Sequence, residues 1–193
     1  MLIDLHCHTQ PLSACSALQP ERLIDLARAR GLDGVCLTEH DRLWPEAQLL
    51  ELRERTGFLI LSAVEVTTDL GHVLAFGLHG PLSATAAELF ASAKDEDALL
   101  FLAHPARDGL LKVTRETVAF FESVEGVNGS DSRLQNMAAS GLARGFRLPG
   151  IGGSDAHTAA EVGRAATRFD APVVDEQTLL DALRSGKYEA AAF

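Results

Sequence analysis

Two histidines one residue apart, His6 and His8 in "DLHCHT", open the set of residues able to do chemistry in this chain. Side chains alternate along an extended strand, so the two imidazoles share a face and Cys7 points the other way. Such a pair can chelate a metal ion or pack in a core. Further along come Glu39-His40-Asp41, Glu65, His72, His79, His104, Asn128, Asp155 and His157. One histidine beside a strand is more often a hydrogen-bonded loop residue than a ligand. Applied to His6, His8, His40, His104 and His157 together, that explanation fails: each follows an apolar run, and none interrupts a stretch with helical spacing. Glu65, closing "ILSAVEV", is costly to bury unless it is paired or bound to a cation. Imidazoles and carboxylates without a thiolate set suit zinc, manganese or iron(II). The donors exceed the about four that one tetrahedral ion takes. They suit two or three divalent ions sharing a bridging carboxylate, Glu65 or Asp155. Two ions roughly 3.5–4 Å apart clamp a phosphate ester and supply a hydroxide as nucleophile.

The elements that must position these groups follow from hydrophobic periodicity. Strand-like runs at 2–6, 34–38, 58–66, 72–78, 98–103, 124–127 and 148–152 alternate with helical spacing at 20–30, 45–55, 84–93, 113–121, 133–144 and 176–185. Pro20 suits a first helical turn, and Gly31, Gly57, Gly145 and Gly186 suit helix stops. "DLG" at 69–71 is a turn. Apolar strands alternating with helices predict a mainly parallel α/β sheet or barrel. In such folds the C-terminal ends of the strands share one rim, and the rim carries the site. Nearly every histidine and several carboxylates fall there.

The bulk properties narrow the partners. A chain of 193 residues with 47% hydrophobic residues is expected to be one domain, 1–193, with a substantial core. No apolar run is long enough to span a bilayer, and no basic-then-apolar leader opens the chain. The three cysteines, Cys7, Cys15 and Cys36, form no CxxC, which fits a reducing cytoplasm. The formal net charge of −10 opposes non-specific nucleic-acid binding. Bound cations would reverse that sign locally and admit a phosphorylated substrate. Nothing in the sequence sets the oligomeric state.

The ordered motifs "DLHCHT", "LTEHD", "GHVLAFGL", "LAHP" and "GSDAHTAAEVGRA" resemble those of the PHP (polymerase and histidinol phosphatase) superfamily, from Asp4 to about Phe169. The resemblance implies a distorted seven-stranded (β/α)7 TIM-like barrel with two or three metal ions, zinc, manganese or iron, at its C-terminal rim. By motif, His6, His8, Glu65 and Asp155 would hold one ion. Glu65, His104 and a histidine of the fourth strand would hold a second, His72 being favoured over His79. His40 and His157 would help hold a third, with Cys15 and Asp41 as further candidate ligands. Glu65, Asp155 and His157 stand nearest the chemistry, and Arg107, Asn128 and Arg133 are candidates for the phosphate.

The expected activity is hydrolysis of a small phosphorylated metabolite or nucleotide. The longest uncertain rim segments, 9–19 and 105–112, are too short to build a broad basic groove. The alternatives are a non-catalytic metal-binding accessory module and a DNA-end-processing phosphodiesterase. Metal-dependent C–N hydrolysis usually places a lysine at the rim, and Lys94, Lys112 and Lys187 follow no strand.

Overall fold

The computed structural model describes residues 1–80, 82–107 and 114–193. Nine strands form one sheet: β1 (Leu2–Cys7), β2 (Gly34–His40), β3 (Leu59–Thr68), β4 (Gly71–Phe76), β5 (Leu99–Leu102), β6 (Ser123–Asn128), β7 (Ile151–Gly153), β8 (Ala165–Phe169) and β9 (Tyr188–Ala192). Their order is β7-β6-β5-β4-β3-β2-β1-β8-β9. The sheet curls until its β7 end meets β1. The Asp155 N–H donates to the His6 carbonyl at 2.7 Å, His8 N–H donates to the Ala156 carbonyl at 3.1 Å, and Cys7 bridges Ala156. The result is a nearly closed, distorted barrel of β1–β7, with β8 and β9 as a flanking antiparallel pair. Thr167 ties β8 to β7, its hydroxyl donating to the Gly152 carbonyl and accepting from the Gly152 N–H.

The expectation of a mainly parallel sheet needs correction. β1/β2, β2/β3, β5/β6 and β6/β7 are parallel, whereas β3/β4, β4/β5, β1/β8 and β8/β9 are antiparallel. The "DLG" turn is a hairpin bend, so β4 runs backwards through the wall. Its start, not its end, lies on the rim with the C-terminal ends of its neighbours.

Three apolar layers hold the barrel. Helices α1 (Pro20–Ala29) and α2 (Glu46–Thr56) cover the outside, where Leu23, Ile24, Ala27, Leu49 and Leu52 pack on Val35, Leu37 and Ile60. Helix α3 (Ala86–Asp95) lays Leu89 and Ala93 on Val73, Ala75, Leu100 and Leu102. Inside, Ile3, Leu5, Leu74, Phe76 and Phe101 meet Leu179, Leu180 and Leu183 of α5 (Glu176–Ser185), which closes the end opposite the rim. Asp175 caps α5 through a capping box with Thr178, and Gly186 stops it at φ 67°. Helix α4 (Arg133–Ala143) follows β6.

The helix expected at 113–121 is only a 3-10 turn, Thr117–Phe120; Val113, like 108–112 of the rim segment 105–112, lies outside the described residues. Among the described residues the barrel has the expected seven strands, β1–β7, and the sheet adds two unexpected ones, β8 and β9, which carry no β-branched run to announce them.

Candidate metal centre

Glu65 is the hub. It sits in β3, fully buried, and five imidazoles surround its carboxylate. Oε1 lies 2.9 Å from His72 Nδ1 and 3.0 Å from His104 Nε2. Oε2 lies 3.3 Å from His6 Nε2, 3.2 Å from His8 Nε2 and 3.0 Å from His40 Nδ1. None of those last three nitrogens makes a hydrogen bond to Oε2, which is buried and without a donor. Asp155 Oδ1 stands 3.5 Å from His6 Nε2 and 3.3 Å from His8 Nε2. The His157 ring lies 4.4 Å from that of His8, centroid to centroid.

The backbone explains why these groups meet. β1, β2, β3 and the segments after β5 and β7 deliver His6, His8, His40, Glu65, His104, Asp155 and His157 from their C-terminal ends. The reversed β4 delivers His72 from its first turnward position, paired with Thr67. His104 and Asp155 adopt positive φ, 27° and 52°. A left-handed non-glycine residue costs on the order of 1–3 kcal/mol and tends to mark a functional position. Gly153 has no room for a side chain: a Cβ there would lie 2.3 Å from His6 Cβ and 2.7 Å from His6 N. That close approach seats Asp155 beside His6.

Hydrogen bonding fixes which nitrogens are offered. The His6 Nδ1–H donates to Glu125 Oε1 at 3.0 Å, leaving Nε2 to face the cluster. Glu125 is fully buried in β6; its Oε2 also accepts the His104 N–H and an Asn128 amide N–H, each at 2.9 Å. Ser13 gives its hydroxyl proton to Glu39 and stands 3.3 Å from His8 Nδ1, so it accepts there and His8 also presents Nε2. Glu39 further accepts the Thr9 N–H and the Trp44 indole N–H, binding the segment after β1 to β2. His157 donates its Nδ1–H to the Asp155 carbonyl at 3.0 Å.

The electrostatics of the cation-free chain follow. Burial opposes ionisation of Glu65 and Asp155, but the surrounding imidazoles, His6 foremost, hold both carboxyls well below the usual range. Burial likewise opposes a charge on His6, yet Glu125, Glu65 and Asp155 outweigh it and raise His6 well above its ordinary value. His157 is pushed down by burial and by His8.

These residues fit divalent cations. The orphaned Glu65 Oε2 and the converging Nε2 atoms of His6 and His8, 3.0 Å apart, are what a cation between them would satisfy. Three groups of donor atoms lie within 4.8 Å of one another: His6, His8 and Asp155; His40, Glu65 and His72; His8, His40 and His157.

The remaining sequence candidates are placed as follows. His79 lies beyond the far end of β4, largely exposed and 3.2 Å from Glu176. Asp41 turns away to accept from the Thr67 N–H and hydroxyl, at 2.7 and 2.9 Å. Cys15 is exposed and joins none of the three groups. Arg107 reaches the cluster: Nη1 donates to Asp155 Oδ2 at 2.8 Å, Nη2 to Asn128 Oδ1 at 3.0 Å and Nε to Asp131 at 2.7 Å. Arg133 is exposed at the start of α4, outside the cluster. Glu125, Ser13 and Asp131 are not among the sequence candidates, and Glu39, marked there beside His40, turns out to bind Thr9, Ser13 and Trp44 rather than a cluster histidine. Glu125 carried the same signal as Glu65, a carboxylate inside a buried apolar strand.

The family model described as PHP-associated matches residues 133–188. Among curated proteins none matches the chain in sequence. A two-domain protein of Bacteroides vulgatus, containing a domain assigned as a PHP-like metal-dependent phosphoesterase, is similar at TM-score 0.76 and 23% identity; all of this chain is covered, and it spans 64% of that protein. PsfC of Pseudomonas syringae is similar at TM-score 0.74 and 21% identity, covering 100% of this chain and 91% of that one. An amidohydrolase of Chromobacterium violaceum, with bound sulfate and no metal, is similar at TM-score 0.68 and 18% identity, covering 98% and 97%. Among the described residues no helix is long and apolar enough to cross a membrane.

Proposed function

We infer that the protein is a PHP-superfamily metal-dependent hydrolase of phosphate esters acting on a small phosphorylated compound, a reading supported by the PHP-associated match over residues 133–188 and by the similar PHP-like structure. The observation that carries the reading is the Glu65 carboxylate inside five imidazoles, with Asp155 beside it bound to Arg107. His6, His8, His40, Glu65, His72, His104, Asp155 and His157 would hold two or three divalent ions. When bound, such ions polarise a phosphoryl oxygen and bring the pKa of a water toward about 7.

The chain's own groups do the rest. Asp131, Asn128 and Asp155 hold the Arg107 guanidinium at one edge of the cluster, and its remaining N–H groups are free to orient a phosphoryl oxygen. Asp155 and Asp131 hold its proton firmly, so it stays a cation at any working pH. Glu125 and Ser13 keep the Nδ1 protons of His6 and His8 away from the reaction face. Cys7 and Cys36 are buried in the apolar layers, and the Ser13 hydroxyl is committed to Glu39, so none of these three groups competes with water as the nucleophile.

The test is metal analysis followed by kinetics on p-nitrophenyl phosphate, bis-p-nitrophenyl phosphate and a matched amide panel. Metal-loaded wild type should cleave a phosphate ester. Glu65→Gln should lose metal and rate together by more than about 100-fold, beyond the cost of removing an outer-shell partner. Cleavage of the amides alone, or full activity after exhaustive chelation, overturns the assignment.

A further inference from the structure

A groove of about 520 Å³ opens beside the rim, between α4 and the end of β9. Arg133, Arg144 and Arg164 line it, together with Val127, Met137 and Phe193. Arg133 and Met137, four residues apart on α4, and Arg144 at its C-cap line the groove, so one face of the helix looks into it. In a chain of net charge −10, these three guanidinium groups have no carboxylate partner among the described residues. Arg164 uses only its Nε, on the Ala160 carbonyl. Asp131 also lines the groove; its Oδ1 accepts from Arg107 at 2.7 Å, whereas its Oδ2 is buried and without a partner. The apolar members are exposed too: Met137 by 60% and Phe193 by 67%. A volume of this size is that of a small-molecule site.

The groove is joined to the metal centre. Asn128 belongs to both: it lines the groove, and its side chain reaches Asp155 and Arg107. Asn136, on the groove side of α4, clamps the Asn128 main chain, accepting its N–H at 2.7 Å and donating to its carbonyl at 2.9 Å. An occupant of the groove therefore lies against the wall of the catalytic cluster.

We propose that this groove is the subsite for the part of the substrate remote from the metals, and that it takes a second anionic group carried on an apolar framework. The proposal rests on the phosphoesterase reading and adds to it a substrate class: compounds with two separated anionic groups. Unpaired guanidinium groups supply the charge-assisted hydrogen bonds, and Met137, Val127 and Phe193 supply the apolar contact.

The experiment compares α,ω-alkanediol bisphosphates of four to ten carbons with the matching alkyl monophosphates, using Mn²⁺-loaded protein. Wild type should favour the bisphosphate by at least tenfold in kcat/KM at one or more lengths, beyond the twofold statistical advantage. In R144Q/R164Q, whose two sites are exposed, that ratio should fall to near twofold; lysine at both positions should restore part of it. Equal hydrolysis of both series by wild type, or a preference that survives R144Q/R164Q, overturns the subsite and leaves the phosphoesterase reading standing. No hydrolysis of either series or of p-nitrophenyl phosphate by loaded wild type overturns both.

Discussion

Glu65 and Glu125 divide the work of one buried carboxylate pair. Glu65 faces the imidazole lone pairs, whereas Glu125 stands behind His6 and decides which of its nitrogens carries the proton. Removing Glu125 frees the His6 ring and strips an acceptor from the His104 N–H and the Asn128 amide. Glu125→Ala should therefore weaken metal binding by about 10–100-fold, and Glu125→Gln should weaken it too: its amide oxygen can still accept from His6 Nδ1, but its NH2 then meets two donors, the His104 N–H and the Asn128 amide. Competition with a chromophoric chelator reads this directly. Unchanged affinity in Glu125→Ala would mean that His6 is held by its packing alone. His79→Ala serves as the comparison, because His79 lies against Glu176 at the far end and should leave metal affinity unaltered.

At the scale of elements, the precision of the site depends on how closely β7 approaches β1. Gly153→Ala puts a methyl group into the space of His6, and the neighbour that must give is backbone. Overpacking of this kind costs typically 1–3 kcal/mol. The denaturation midpoint should fall accordingly, and metal affinity should fall with it as Asp155 is pushed away from His6. A midpoint within error of wild type would show that β7 can slide.

The same closure marks what sequence could reveal. Strands β1, β2, β3 and β5 and helices α1, α2 and α5 were legible because their apolar spacing is regular and their stops are glycines or turns. The polar residues at the strand ends were legible for the same reason. β8 ("AATRF") and β9 ("YEAAA") were not: alanine has no strand preference, and these strands exist because small side chains let them pack against Gly152. The reversal of β4 was half visible, since the "DLG" bend implies a hairpin, and that hairpin selects His72 over His79 for the rim. Glu39 and Ser13 were invisible as a pair because they lie 26 residues apart and meet only through the β1–β2 pairing.

For the whole molecule, the cluster ties stability to cations and to pH. Without metal, His6 is held above its usual pKa, so its contribution is fully present below about pH 6.5 and is lost as pH rises through the folded value. Glu65 and Asp155 are held low, so theirs is present above about pH 4 and is lost toward more acid pH. Metal-free protein should thus be most stable at mildly acid pH and weaken on the alkaline side. Cations compete with the imidazole protons, so metal should bind more tightly as pH rises. Loading to 100 times Kd adds ~2.7 kcal/mol, or roughly 5–10 °C in Tm for a chain of this size. Calorimetric scans from pH 5 to 9, with and without Mn²⁺, would read both trends; a Tm gain that shrinks with rising pH would contradict them. The stopper formed by α5 has its own consequence. Leu179, Leu180 and Leu183 plug the barrel opposite the rim, so among the described residues the metal cluster faces solvent from the rim side, and under the proposed function substrate and product would share that approach.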